Sequence, residues 1–243
     1  MDKNFKHKII HNNSKYPLII SFQGIDAGIY PEKKDDLSYL FYNLFTSSDL
    51  EYNYIFFKDI EQEIYGGCYD IIVNIIKEYI SQYNPPTTYV MGQSVGGFTA
   101  IIVSEMLFNI SVFVHKTIAF APLTNTEWFQ SYSDPWPLKI NNIDIPCKKI
   151  SELQPFNSSV QYWYPIFSKL DMWMIEYINE SDVNLEIIKI KVDKHNIWGT
   201  IGKEKYKKLI LSTISETYHS IVDEINNSNY IKNSNISNTS KII

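Results

Sequence analysis

Residues 92–97 read Gly-Gln-Ser-Val-Gly-Gly and hold three of the chain's nine glycines. A serine with glycine two positions before and two after has the spacing of a nucleophile on a sharp strand-to-helix turn. Such a turn strains the serine backbone, and its neighbours must leave room for it. Gly92 and Gly96 supply that room, and Gly97 lets the following helix approach. By chance a Gly-x-Ser-x-Gly match arises in roughly one chain in ten of this length. Context therefore decides between a nucleophile and a capping turn. Here the motif sits between two apolar runs, Thr87–Met91 and Phe98–Phe108. In the nucleophile reading Ser94 is expected to attack an acyl carbon, with the N–H of Val95, at a helix start, facing the developing oxyanion.

Such a serine needs a base, and the base needs an orienting acid. Five histidines are available: His7, His11, His115, His195 and His219. The acid is expected between Ser94 and His195, after a strand, and the serious candidates there are Asp134, Asp144, Asp171 and Asp182. Choosing among them requires the elements that carry them.

Short apolar runs alternate with longer amphipathic ones. Strands are predicted at Pro17–Phe22, Asn53–Asp59, Thr87–Met91, Lys116–Ala121, Val160–Pro165 and Asn184–Val192. Helices are predicted at Asp36–Phe45, at 68–83, after Ser94, at Asp171–Ile178 and, as one long helix, at Lys203–Ile225. The last of these carries Tyr206, Ile210, Ile214, Tyr218, Ile221 and Ile225 on one stripe. Residues before 17 are expected to form a loose arm. Residues 226–243, rich in Asn and Ser, are expected to be a disordered tail. Strands alternating with helices imply an α/β fold, a mostly parallel sheet covered on both faces. Residues 1–225 are read as a single domain, with about 123–159 as a cap-like insertion. That segment holds Pro135, Pro137, Pro146 and Pro155 and the aromatics Trp128, Phe129, Tyr132 and Trp136.

In open parallel sheets, ligands bind beyond the carboxyl ends of the strands. His7 and His11 precede the first predicted strand, His115 lies at the amino edge, and His219 lies on the polar side of the last helix. His195 follows the final strand at the edge that carries Ser94. Asp182 falls at the amino edge, and Asp134 and Asp144 lie in the irregular segment. Asp171 follows the preceding strand and opens a helix, so an N-cap role competes with an orienting one. The expected set is Ser94, His195 and Asp171, with Asp134 the next candidate. The loop after the first strand, "SFQGIDAG", offers a second oxyanion N–H from Gly24 or Gln23.

With "SFQG", "GQSVGG", "AFAP", "KLDMW" and "DKHNIWG" in this order, the chain resembles the α/β-hydrolase superfamily over about Pro17–Ile225. More narrowly, it is similar to small hydrolase-like proteins associated with bacterial surface-polysaccharide clusters. The resemblance implies a three-layer α/β-hydrolase fold and a serine hydrolase.

Composition narrows the function classes. A net charge of −5 without a basic block gives no nucleic-acid face. Cys68 and Cys147 are too few for a disulfide framework and are expected as buried thiols. No apolar run reaches the roughly 18 residues of a membrane span, and the N-terminus has no signal-peptide pattern, so the cytoplasm is the expected compartment. No metal-ligand spacing or cofactor motif is present. The expected activity is cofactor-free hydrolysis of a small acyl ester or thioester, with Trp128 and Trp136 as candidate pocket residues. The alternatives are an acyltransferase on the same scaffold, acting on a sugar or alcohol, and a non-catalytic binding protein.

Overall fold

The computed structural model describes residues 5–24, 40–46, 50–60, 63–127 and 144–228. In chain order its strands are β1 (Phe5–Ile10), β2 (Leu18–Phe22), β3 (Asn53–Asp59), β4 (Thr88–Gln93), β5 (Lys116–Phe120), β6 (Val160–Pro165) and β7 (Leu185–Ile190). Its helices are α1 (Leu40–Thr46), α2 (Tyr69–Tyr83), α3 (Val95–Asn109), α4 (Lys169–Met174), α5 (Ile197–Ile201), α6 (Lys203–Ile214) and α7 (His219–Asn227). Among the described residues the strands form one sheet in the order β1-β3-β2-β4-β5-β6-β7. All pairings are parallel except β1 with β3, which is antiparallel.

The central strands are apolar on both faces, as strands between two helical layers must be. Successive residues of β2 illustrate the alternation. Leu18, Ile20 and Phe22 join the core under α2 and α3, and Ile19 joins the core under α1, α6 and α7. Helix α3 is buried along nearly its whole length, including Ser104 and Glu105. Glu105 accepts hydrogen bonds from Asn157 N (3.0 Å), Asn157 Nδ2 (2.9 Å), Ser158 N (3.0 Å) and Ser158 Oγ (2.7 Å). This carboxylate pins the segment that leads into β6. Cys68 and Cys147 are buried thiols that form no disulfide, as expected.

Two expectations fail. Residues 5–10 are a strand and no loose arm: His7 pairs with Phe57, and His11 Nδ1 lies 2.8 Å from the Tyr79 hydroxyl. The lysines of β1 suit an edge strand, where charge blunts further pairing, and they hide the strand from an apolar reading. The long final helix is two. Glu216 adopts φ 59, and Ser215 Oγ donates to the Leu211 carbonyl at 3.0 Å. Thr217 N donates to the Ser212 carbonyl at 2.8 Å, closing α6 before α7 begins. The predicted stripe survives the break, with all six of its residues buried.

Candidate active site

Ser94 lies between β4 and α3 with φ 56 and ψ −124, outside the regions that ordinary side chains favour. Such a backbone persists only where its surroundings over-determine it. Ser94 N donates to the Phe120 carbonyl at 2.9 Å. Its own carbonyl accepts from Gly97 N at 2.9 Å, Phe98 N at 3.1 Å and Leu123 N at 3.1 Å. The flanking glycines are steric necessities. A Cβ on Gly92 would collide with the Gly96 carbonyl, and one on Gly96 with the Phe22 carbonyl.

His195 follows β7, and its side chain keeps 21% exposure while Asp171 has none. His195 Nε2 lies 2.8 Å from Ser94 Oγ, and Nδ1 lies 3.0 Å from Asp171 Oδ1. With Asp171 as a carboxylate, which only accepts, the ring hydrogen belongs on Nδ1. Nε2 is then the acceptor for the Ser94 hydroxyl.

Asp171 reaches this position from the first turn of α4. The helix cap is Ser168, whose hydroxyl accepts from Asp171 N at 3.4 Å. The N-cap reading of Asp171 is therefore corrected: the helix starts earlier than its apolar run, and the carboxylate turns inward. Asp171 Oδ2 is buried without a hydrogen-bond partner among the described residues. Burial, and then the nearby Asp171 carboxylate, push the Tyr162 and Tyr164 hydroxyls of β6 upward, so both stay protonated.

Gly24 follows β2 against the same turn. A Cβ there would come 2.6 Å from the Gln93 carbonyl and 3.5 Å from Ser94 Cβ. Of the two N–H groups considered in this loop, that of Gln23 is spent on the Phe57 carbonyl at 3.0 Å. Val95 is the first residue of α3, where backbone N–H groups have no acceptor within the helix.

The remaining candidates lie elsewhere. His115 N donates to the Thr88 carbonyl at the amino edge, and His219 is exposed on α7. Asp182 caps backbone N–H groups of Phe156 (2.8 Å) and Asn184 (3.0 Å) at the same far edge. Asp144 is exposed. Trp128, Phe129, Tyr132, Asp134 and Trp136 lie outside the described residues. Sequence reasoning missed Gln93 and Asn196, which flank Ser94 and His195 in sequence and touch each other.

No family model and no curated protein matches the sequence. Solved structures do match it. MenH from S. aureus aligns with a TM-score of 0.53 at 11% identity, over 88% of this chain and 98% of its own. Est1E from Butyrivibrio proteoclasticus gives 0.54 at 13% identity, over 84% and 90%. An esterase from Pyrococcus furiosus gives 0.57 at 13% identity, over 88% and 92%. At these identities the likeness is one of fold: the chain has an α/β-hydrolase fold.

Proposed function

We propose that this chain is a serine hydrolase of the esterase or thioesterase type. The observation that carries the reading is the continuous line from Ser94 Oγ through the His195 ring to Asp171, with steps of 2.8 and 3.0 Å. A satisfied structural histidine needs no strained serine beside it. Here the serine pays a backbone cost to be presented to one.

In the proposed reaction Ser94 Oγ attacks the carbonyl carbon of a small acyl ester, and its proton passes to His195 Nε2. The carbonyl π electrons move to oxygen. The N–H groups of Val95 and Gly24 hold the resulting oxyanion. Asp171 keeps the hydrogen on Nδ1 and stabilises the imidazolium that forms. Collapse of the intermediate breaks the bond to the leaving alcohol or thiol, which takes the proton from Nε2. Water then attacks the acyl-serine, gives its proton to Nε2, and the carboxylic acid leaves as Ser94 regains its hydrogen. The structural neighbour from Pyrococcus furiosus bears the name esterase, which agrees with this chemistry.

The substrate class is tested with 4-nitrophenyl esters of rising acyl length, an acyl thioester and an acetylated sugar, the last on the strength of the motif resemblance. Turnover of at least one by the wild type, lost in Ser94→Ala, is the expected result. Equal turnover by both proteins overturns the proposal.

A further inference from the structure

The Gln93 carboxamide lies between two elements that the sequence holds far apart. It ends β4, paired with Phe120, and is 7% exposed. Its Oε1 accepts from the hydroxyl of Tyr206, on α6, at 2.9 Å. Its Nε2 faces Asn196 Oδ1 at 3.4 Å. Asn196 directly follows His195 and caps α5, with Oδ1 accepting from Gly199 N at 3.0 Å.

The polarity of this chain follows from one group that cannot flip. Gly199 N–H is a backbone donor, so the atom of Asn196 facing it is the oxygen. That oxygen also faces Gln93, so the Gln93 atom opposite is the NH₂ group. Gln93 Oε1 then points at Tyr206, which donates. Reversing either amide sets two acceptors or two donors against each other. Gly199 is itself part of the fit, because a Cβ there would come 2.9 Å from Asn196 Nδ2. The Gln93 carbonyl meanwhile packs against Gly24. The residue before the nucleophile thus touches the loop after β2, helix α6 and the turn that carries His195.

We propose that Gln93 is a positioning residue that holds the His195 turn on the serine elbow through Asn196. Its catalytic consequence rests on the serine-hydrolase reading above. Ser94 is fixed by its own backbone bonds, whereas His195 is carried on a short turn between β7 and α5. The Gln93–Asn196 contact joins these two supports directly, and at 3.4 Å it is a polar contact longer than an ordinary N–H···O hydrogen bond. Small displacements of a catalytic group cost large factors in rate.

The test uses Gln93→Met, which keeps the volume and removes both polar contacts, and Asn196→Ser, which keeps an α5 cap but cannot reach Gln93. Each is expected to lower kcat about tenfold with KM changed less than about twofold, and the double variant is expected to be no slower than the slower single. Such non-additivity is the signature of one shared contact. The ring resonances of His195, assigned with His195→Gln, provide a readout independent of turnover. They are expected to be single and sharp in the wild type and broadened or doubled in both variants. Loss of the wild type's Ser94-dependent labelling by a fluorophosphonate would defeat the hydrolase reading and leave the positioning claim to be decided by those resonances. Unchanged His195 resonances in Gln93→Met overturn it, even if the melting temperature falls. Full kcat in that variant overturns its catalytic consequence.

Discussion

At the scale of single residues, the site is a set of demands that few side chains meet. Ser94 accepts a left-handed φ because four backbone hydrogen bonds hold its peptide groups. Gly96 is required because the Phe22 carbonyl occupies the space a side chain would take. Gly96→Ala is expected to destabilise the fold by about 1–3 kcal/mol, the usual cost of overpacking, and to reduce turnover. A wild-type melting temperature in that variant would contradict the steric account. Asp171→Asn leaves the packing nearly intact but offers an NH₂ group to the ring, which favours the tautomer with hydrogen on Nε2. Its expected effect is a fall in kcat/KM of about 10³-fold or more, with circular dichroism unchanged. A fall below about tenfold would mean that Asp171 does not orient the base.

At the scale of elements, the sequence was legible where apolar runs were long and bounded. Strands Asn53–Asp59 and Val160–Pro165 match their predicted limits. Strands β4 and β7 run parallel within one sheet, so Ser94 after β4 and His195 after β7 fall at the same edge, and the sorting of histidines by edge follows from topology alone. The parts that were not legible have physical reasons. Strand β1 is half polar because it is an edge. The break between α6 and α7 combines local bonds of Ser215 and Thr217 with a contact from Glu216 to Lys116 at 2.7 Å, a hundred positions away, which no local pattern announces. The contacts of Gln93 to Asn196 and Tyr206 join residues more than a hundred positions apart, and nothing local announces them. Glu105 belongs to this scale too, since it ties α3 to the entry of β6 at the edge opposite the site. Glu105→Ala strands several buried donors and is expected to cost about 2–4 kcal/mol, read in urea unfolding. Its turnover at a temperature where it remains folded should equal that of the wild type. A loss below about 1 kcal/mol would contradict the pinning role.

At the scale of the whole molecule, the two faces of the sheet carry separate apolar cores, and the sheet carries the site between them at its carboxyl edge. Cys147 reports on the first core. Burial pushes its thiol up to about 12, so the reactive thiolate is scarce at pH 8 and the group is also shielded. Its reaction with a disulfide reagent at pH 8 is expected to be slow in the native protein and fast in urea, rising with the same midpoint as the fluorescence change. Fast native reaction would show that the core around α2 opens locally. Whether Ser94 is a nucleophile is read by labelling with a fluorophosphonate followed by intact mass and peptide mapping. One adduct is expected in the wild type, on Ser94, and none in Ser94→Ala or after heat denaturation. An adduct of equal yield in Ser94→Ala, or no adduct on folded wild-type protein, would contradict that role.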